Sequence, residues 1–443
     1  MIRLHIMLNN RRRFVFSAAM AAVLVLRAGG ANAGFPSPVT VRCVTKTSIS
    51  PNPNCTPSTT YTTISAAIGA PALPGDVIFV GPGTYNESVT ISTPTLSLLG
   101  AQAGNDARVD RHDPTKESIV DGKGSSAFIV NAPYVVIDGF TVRGGTAGTP
   151  PAGIYLGAYY LPEILNNILE KNSTGVYLDG SLGPFIVHNL FRNNYAEAAT
   201  NSSYGIISSG AGGPRITENE FTGNKTAAID VTPGPTATRS SSAIITNNTS
   251  ENDGSFVIFI GSNLCAFSHN RGKNFGAHGA FSDAGDAAVA VGPGNTFLDI
   301  GDNDLENGEA RISNGIAFTT VFDPPAANSN VIVRNNKIKG FPGNGIVAEV
   351  LSGPPSMGTL YGSWIVGNEV LDNGSDGIII EGAVVNNHNI GLFDNEAEGN
   401  HVFDCQDTST GYGTLGRGNA WFNNTGNSSS PTGLCTPGRG HDH

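Results

Sequence analysis

One pattern of asparagines recurs through the central part of the chain. In each copy, an apolar residue follows an asparagine by two positions and a second asparagine follows it by five, as in Asn167, Leu169 and Asn172. Full copies start at Asn167, Asn189, Asn219, Asn368 and Asn395, and degenerate copies start at Asn248, Asn270, Asn303 and Asn336. The residue three positions before each of these nine asparagines is apolar. Amino-acid composition alone does not explain an apolar residue at the same offset in all nine copies, so the pattern is a sequence repeat.

The spacing of the copies favours strands over helices. Successive asparagines lie 22 to 33 residues apart, whereas helical solenoids keep a nearly fixed period. Short runs such as Gly175–Leu178 alternate in a way that predicts strands. Strands, Gly/Asn bends and variable loops together predict a coil that rises by one strand spacing, about 4.8 Å, per turn. Equivalent asparagines then stack, and each inward amide bonds to the amides above and below it.

These repeats resemble the coils of the right-handed parallel β-helix proteins of the pectate-lyase-like superfamily, most closely those of its secreted members. The resemblance covers residues 76–400. It implies an all-β fold, a single-stranded right-handed parallel β-helix of about a dozen coils. It implies no single activity, because this scaffold carries lyases, hydrolases, esterases, epimerases and non-catalytic stalks.

Residues 1–33 have the features of an export signal. Arg11–Arg13 precede the apolar run Phe14–Leu26, and Ala31–Ala33 offers a cleavage site with small residues. No later segment is apolar enough to predict a transmembrane helix. Residues 1–33 contribute five of the 25 basic residues and none of the 36 acidic ones, so the remainder has a net charge of −16. We therefore expect an exported monomer that does not bind nucleic acid.

The segments on either side of the repeats predict two caps. In residues 34–75, Ile64, Ala67 and Ile68 have the spacing of one helical face, which predicts a small helix over the open end of the first coil. Residues 401–443 are rich in Gly, Asn, Ser and Thr and predict a C-terminal cap and tail.

The five cysteines predict two local disulfides, because an exported chain permits disulfide formation. Cys43 and Cys55 flank a short polar loop, and Cys405 and Cys435 bracket the C-terminal cap. This pairing leaves Cys265, at a strand position, as a buried free thiol.

The chain lacks each complete catalytic set of the related enzymes. It has no Asp-Asp pair, which polygalacturonases need, and Arg111–Pro114 holds the letters of an epimerase motif in the wrong order. Gly83–Glu87 matches the G-x-Y-x-E of pectin methylesterases, and Gln406–Thr408 matches a second esterase motif. Leu415–Arg417 resembles a third esterase motif, but the segment that separates the second and third motifs in the esterases is missing here, so we expect these two matches to be coincidental. Gly83–Glu87 alone is unspecific.

One outward row of side chains is a candidate functional face. It is formed by the second residue after each strand-opening glycine, or after Ala228 in one copy, and strand alternation turns that residue outward. The row consists of Tyr155, Tyr177, Ile207, Asp230, Ala317, Val347 and Ile379. Such apolar residues suit packing under loops or, at Tyr155 and Tyr177, a platform for sugar rings. Asp230 is a candidate catalytic residue within this row.

Two acidic groups offer further candidates. Glu349 and Glu381 occupy equivalent positions in successive coils, where they would form an acid/base pair, hold a calcium ion, or lean apart as solvated side chains. Asp302, Asp304 and Glu306 crowd one coil with the oxygen ligands that calcium prefers, or form a merely acidic surface. Calcium is therefore the one candidate cofactor.

Two functions follow from these observations. In the first, the exported protein binds or slowly processes a polysaccharide along one face of the solenoid, as a lyase, hydrolase or epimerase would. In the second, the protein is a non-enzymatic structural or adhesion rod at the cell surface or in the periplasm. An incomplete catalytic set leaves both open, and the sequence does not decide whether the protein is an enzyme.

Overall fold

A computed structural model of the chain describes residues 40–46, 52–109, 111, 113–147, 151–195, 202–234, 240–276, 286–308, 312–319, 327–351, 357–383, 387–409 and 418–438. The predicted export signal, residues 1–33, lies outside the described residues. Among the residues that the structure describes, no helix has both the length and the apolar character that a membrane span requires.

Three long parallel sheets, A, B and C, run side by side along the described chain. Each turn of the chain adds one strand to sheet A, then one to sheet B, then one to sheet C. Sheet A contains Val41–Val44, Thr60–Tyr61, Val77–Val80, Ser97–Leu99, Val136–Asp138, Glu163–Leu165, Phe185–Val187, Arg215–Thr217, Ile244–Thr246, Ala266–Ser268, Asp299–Gly301, Ile332–Arg334, Trp364–Val366, Gly391–Phe393 and Ala420–Phe422.

Sheets B and C complete each coil. Sheet B contains Gly83–Asn86, Ser118–Asp121, Phe140–Arg143, Ile168–Glu170, Leu190–Arg192, Glu220–Thr222, Thr249–Glu251, Arg271–Lys273, Asp304–Glu306, Lys337–Lys339, Glu369–Leu371 and Glu396–Glu398. Sheet C contains Val89–Ile91, Phe128–Val130, Ala152–Leu156, Thr174–Asp179, Tyr204–Ser209, Ala227–Thr232, Ser255–Phe259, Ala287–Val291, Asn314–Phe318, Ile346–Ala348, Ile378–Ile380, Cys405–Asp407 and Ser429–Ser430. Two small sheets pair Asn328–Ser329 with Leu360–Tyr361 and Val350–Leu351 with Met357–Gly358.

The core is built from identical positions stacked on successive coils. Ile164, Ile186 and Ile216 are in register on sheet A and fully buried. On sheet B, the rings of Phe191 and Phe221 stack with centroids 4.8 Å apart. The apolar phase of the repeat therefore marks the inward face, as the sequence predicts.

The predicted asparagine ladder is present at the bend between sheets A and B. Its members are Asn167, Asn189, Asn219, Asn248, Asn270, Asn303, Asn336, Asn368, Asn395 and Asn424. Each Nδ2 donates to the Oδ1 of the next member over 2.9–3.2 Å. The same Oδ1 also accepts the backbone N–H of the preceding member. Asn424 extends the ladder one coil beyond the nine members that the sequence indicates.

A second ladder stands at the bend between sheets B and C and ends at a carboxylate. It runs from Asn172 through Asn194 and Asn224 to Asp253. The Oδ1 of Asp253 accepts the backbone N–H and the Nδ2 of Asn224 over 2.7 and 2.8 Å. Burial raises the pKa of Asp253 to about 7.

The N-terminal cap contains the predicted helix, Ile64–Gly69, with Ile64 and Ala67 buried. A single turn of 3₁₀ helix, Pro57–Thr59, precedes it, and a second one spans Pro114–Lys116. The Glu87 carboxylate accepts the backbone N–H groups of Ile64 and Ser65, each over 2.9 Å. Because those donors are otherwise unpaired at a helix start, Glu87 caps the helix.

The C-terminal cap continues the sheets past residue 400. Cys405–Asp407 pairs with Ile378–Ile380, and Ala420–Phe422 pairs with Gly391–Phe393. Asp407 is buried and accepts the indole N–H of Trp421 over 2.8 Å, so it supports the cap. Disulfides join Cys43 to Cys55 and Cys405 to Cys435, and Cys265 is a buried free thiol, as the sequence predicts.

Candidate functional site

The connections between strands single out one face of the solenoid. From Leu165 to Glu396, every bend from sheet A to sheet B contains two residues, the second of which is a ladder asparagine. The connections from sheet C to sheet A vary instead, from residues 180–184 to residues 319–331. Proteins place binding and catalytic groups where variable loops border a rigid scaffold. The outer face of sheet C, formed by its outward-pointing side chains, is therefore the candidate site.

The outward side chains of sheet C form one continuous row. Strand register places Tyr155 beside Tyr177, Tyr177 beside Ile207, and Ile207 beside Asp230. The row continues through Ile258, Ala290, Ala317, Val347 and Ile379. All seven residues that the sequence selects stand in it. The sequence rule misses Ile258 and Ala290 because no Gly-apolar pair opens their strands; the strand of Asp230 also departs from the rule, since Ala228 stands in place of the glycine.

The row divides into an open part and a closed part. Tyr155, Tyr177 and Ile207 are half-buried, so part of each side chain reaches solvent. Ala317 is fully buried and Val347 is only 2% exposed. The sequence leaves two alternatives open for this row. An accessible platform fits the open part, at Tyr155 and Tyr177, and packing fits the closed part, at Ala317 and Val347.

Tyr155 and Tyr177 pack against each other on adjacent coils. Their ring centroids lie 6.1 Å apart and their planes meet at 27°. Rings at this separation and angle overlap in part, so each shields some of the face of the other. The pair presents its ring edges and the Tyr177 hydroxyl, which has no hydrogen-bond partner among the described residues.

Asp179 belongs to this site although the sequence rule does not select it. The Tyr155 hydroxyl donates to the Oδ2 of Asp179 over 2.6 Å. Burial, together with this bond and the carboxylate charge, raises the pKa of Tyr155 well above its usual value. Asp179 follows Tyr177 by two residues in the same strand, so extending the alternation by one period would find it.

Asp230 lies two coils beyond Tyr177 and is 8% exposed. Its in-register neighbours are Ile207 and Ile258, and its Oδ1 has no hydrogen-bond partner among the described residues. These surroundings disfavour the ionised carboxylate and raise the pKa of Asp230 to about 7. A carboxyl group that keeps its proton near neutral pH can act as a general acid.

Glu349 and Glu381 stand on adjacent coils, just after the paired residues Ala348 and Ile380. Both are half-buried. The Oε2 of Glu381 accepts the backbone N–H of Val350 over 2.8 Å. This bond holds the Glu381 carboxylate in the turn that leaves sheet C. An acid/base role for the two glutamates stays a prediction.

The structure does not assemble a calcium site from Asp302, Asp304 and Glu306. Strand register places Asp304 between Arg271 and Lys337, and Glu306 between Lys273 and Lys339. The Arg334 guanidinium holds Asp302 and also bonds to Asp299. In the described part of the chain, no three His, Cys, Asp or Glu side chains come together as metal ligands. Basic side chains therefore lie beside these carboxylates, and calcium binding here stays a prediction.

Known proteins with this architecture identify the fold. Residues 152–290 match the family described as right handed beta helix region. Among solved structures, the catalytic unit of a thermostable α-1,3-glucanase from Streptomyces thermodiastaticus aligns with a TM-score of 0.60 at 14% identity, over 90% of this chain and 71% of that chain. The protein is a right-handed parallel β-helix.

A second solved β-helix is similar over most of its length. The A-module of a mannuronan C-5 epimerase from Azotobacter vinelandii aligns with a TM-score of 0.54 at 13% identity, over 82% of this chain and 93% of that chain. No curated protein sequence matches this chain. At these identities, the likeness shows the β-helix fold alone.

Proposed function

We propose that this β-helix protein binds a polysaccharide along the outer face of sheet C and processes it with Asp230 as the acid. The observation that carries the proposal is the register of one row. Two half-exposed tyrosines on adjacent coils, Tyr155 and Tyr177, are followed two coils later by a buried carboxyl group with an unpartnered oxygen.

The coil spacing suits a sugar chain that runs along the helix axis. Strands in a sheet lie about 4.8 Å apart, and one sugar residue repeats at roughly that distance. A chain that contacts Tyr155 and Tyr177 with successive sugars would therefore reach Asp230 within two further residues. The free hydroxyl of Tyr177 can exchange hydrogen bonds with sugar hydroxyls.

The similar structures support this choice of ligand. The α-1,3-glucanase and the mannuronan epimerase, by their names, act on polysaccharides, and one α-1,3-glucanase structure contains nigerose. Export fits the same proposal, because the two disulfides need an oxidising compartment to persist. Polysaccharides of the environment or of the cell surface lie in such a compartment.

A structural rod is the second candidate function, and one observation favours it. The closed part of the row, which includes Ala317 and Val347, has almost no solvent-accessible side-chain surface. A glycan cannot contact this part of sheet C. In a rod, the stacked ladders would supply length and resistance to unfolding, and the open tyrosines would have no ligand.

A glycan array with the mature protein tests the proposal. We expect at least one polysaccharide to bind, and Tyr177→Ala to weaken its binding by about three- to tenfold, or roughly 0.5–1.5 kcal/mol. Phe422→Ala is the matched control, because Phe422 is an exposed aromatic residue on sheet A. If the parent binds no glycan, or if both variants bind as the parent does, the rod is the better description.

A further inference from the structure

The strands of sheet C carry acidic side chains and no basic ones. Thirteen strands of sheet C are described, and none of them contains Lys, Arg or His. Their acidic residues are Asp179, Asp230 and Asp407. Asp407 is only 1% exposed and supports the C-terminal cap, so Asp179 and Asp230 are the acids that lie beside the tyrosine pair.

Basic side chains are present on the neighbouring sheet, where carboxylates balance them. On sheet B, Arg192 pairs with Glu170 over 2.7 Å, and Lys273 pairs with Glu251 over 3.1 Å. The chain therefore has basic side chains, but they lie on sheet B and are missing from the strands of sheet C.

One buried lysine stands close to the site but has its charge engaged elsewhere. Lys225 precedes the strand that contains Asp230 and is 3% exposed. Its Nζ lies 5.0 Å from the centroid of the Tyr195 ring, in a cation–π contact. A buried ammonium in this position does not present itself to a ligand on the outer face.

We propose that the outer face of sheet C selects uncharged glycans and rejects polyuronates. This inference rests on the proposed function and names its substrate class. A polyuronate carries one carboxylate per sugar, and recognition of carboxylates depends on Arg or Lys donors that the strands of this face lack. Along the helix axis it would place a negative charge opposite the Asp179 carboxylate.

The size of the discrimination follows from Coulomb's law. Two like charges about 5 Å apart in water repel strongly enough to change binding about fourfold, and more where water is excluded. The facing pair at Asp179 therefore predicts at least about fourfold weaker binding of a charged chain at low ionic strength. Added salt should reduce the difference, because it screens these charges.

A matched pair of probes tests the inference. The uncharged polysaccharide that binds best on the array is oxidised at C6, which converts its primary hydroxyls to carboxylates on the same backbone. Acidic array members are in turn compared with their carboxyl-reduced forms. We expect C6 oxidation to weaken binding at least about fourfold and carboxyl reduction to strengthen it.

One variant assigns the effect to Asp179. The ratio of affinities for the uncharged and the oxidised probe should fall at least about threefold in Asp179→Asn. Glu306→Gln removes the same unit of charge on sheet B and should leave the ratio unchanged. An acidic glycan that binds as tightly as its carboxyl-reduced form, in a manner sensitive to Tyr177→Ala, overturns the selectivity and leaves the binding site standing. Binding of neither class overturns the proposed function itself.

Discussion

The side-chain amide of Asn189 donates to the Oδ1 of Asn219 over 3.0 Å, although 30 residues separate the two in sequence. The same Nδ2 also donates to the carbonyl of Ile164, in the preceding coil, over 2.8 Å. One side chain therefore ties three coils together at their tightest bend. Each ladder asparagine bonds in this way at the bend, where backbone groups have no partner in a neighbouring strand.

Asn219→Ala should destabilise the solenoid. Without the amide, the backbone N–H and Nδ2 of Asn189 lose their acceptor, and the carbonyl of Ile186 loses a donor. The Nδ2 of Asn189 keeps the carbonyls of Ile164 and Val187 as acceptors. The other two losses cost about 1–3 kcal/mol each, so we expect a loss of about 2–6 kcal/mol in the free energy of unfolding. Denaturant unfolding followed by circular dichroism measures it.

Asn193→Gly is the matched control for this loss. Asn193 is exposed and has a φ of 50°, and Gly223 occupies the corresponding bend of the next coil with a φ of 69°. Glycine tolerates that conformation, so the free energy of unfolding should change by less than about 1 kcal/mol. Equal effects from Asn193→Gly and Asn219→Ala would show that the ladder bonds are not what stabilises the bend.

The inward half of this structure is predictable from the sequence because every coil repeats it. Ile164, Ile186 and Ile216 share one phase relative to the ladder, and that phase fixes both the core and the register. The charge pattern on sheet B was readable in the same way. Arg271, Asp304 and Lys337 each follow a ladder asparagine, so the repeat already places the acid between two bases. The calcium hypothesis treated one coil without its neighbours.

The burial of the outward side chains at the candidate site was not predictable from the repeat. Asp230 and Ile207 occupy equivalent positions, yet Asp230 is buried and Ile207 is half-exposed. What covers an outward residue depends on the connections that border sheet C, and these are the parts of the repeat that vary. Burial, and with it the pKa of Asp230, therefore needs the three-dimensional structure.

Stability should fall as pH rises from about 4 to about 7 because of Asp253. Its pKa is raised to about 7 in the folded chain, against about 3.9 in the unfolded chain. The folded state therefore holds a proton that the unfolded state has lost between these values. The resulting stabilisation is complete below about pH 4 and is lost as pH approaches 7, by up to about 4 kcal/mol for three pKa units.

Asp253→Asn should remove this part of the pH dependence. Asparagine keeps the oxygen that accepts from Asn224 and cannot ionise, so the variant should exceed the wild type in stability at pH 8. Urea unfolding at several values between pH 4 and pH 8 gives the comparison. Asp394→Asn, at an exposed bend, is the control for the change in net charge. A variant with the wild-type slope would show that Asp253 is ionised in the folded protein.

The Cys265 thiol should be protected from alkylation in the folded protein, and the other four cysteines should be disulfide-bonded. Cys265 is 2% exposed, and burial raises the pKa of its thiol above the usual value. We expect an alkylating reagent to modify it only in denaturant, while peptide mapping without reduction finds Cys43 joined to Cys55 and Cys405 to Cys435. Rapid alkylation of the native protein, or a bridge between the two caps, would contradict this arrangement.

Asp230→Asn should separate binding from processing on the outer face of sheet C. The substitution keeps the shape of the side chain and removes the proton that a general acid must give, so turnover should fall at least about a hundredfold. Affinity for the same glycan should stay within about threefold of the wild type, because the stacked tyrosines are unchanged.

The pKa of Asp230, about 7, gives a second test, since the active form of this residue is the protonated one. In the wild type, turnover should therefore decline as pH rises through about 7 and stay level below it. Product release is followed by reducing-end assay, and Glu381→Gln, in the turn that leaves sheet C, tests the alternative acid. Wild-type turnover in Asp230→Asn would assign the chemistry to another group, and loss of turnover in Glu381→Gln alone would assign it to the glutamate pair.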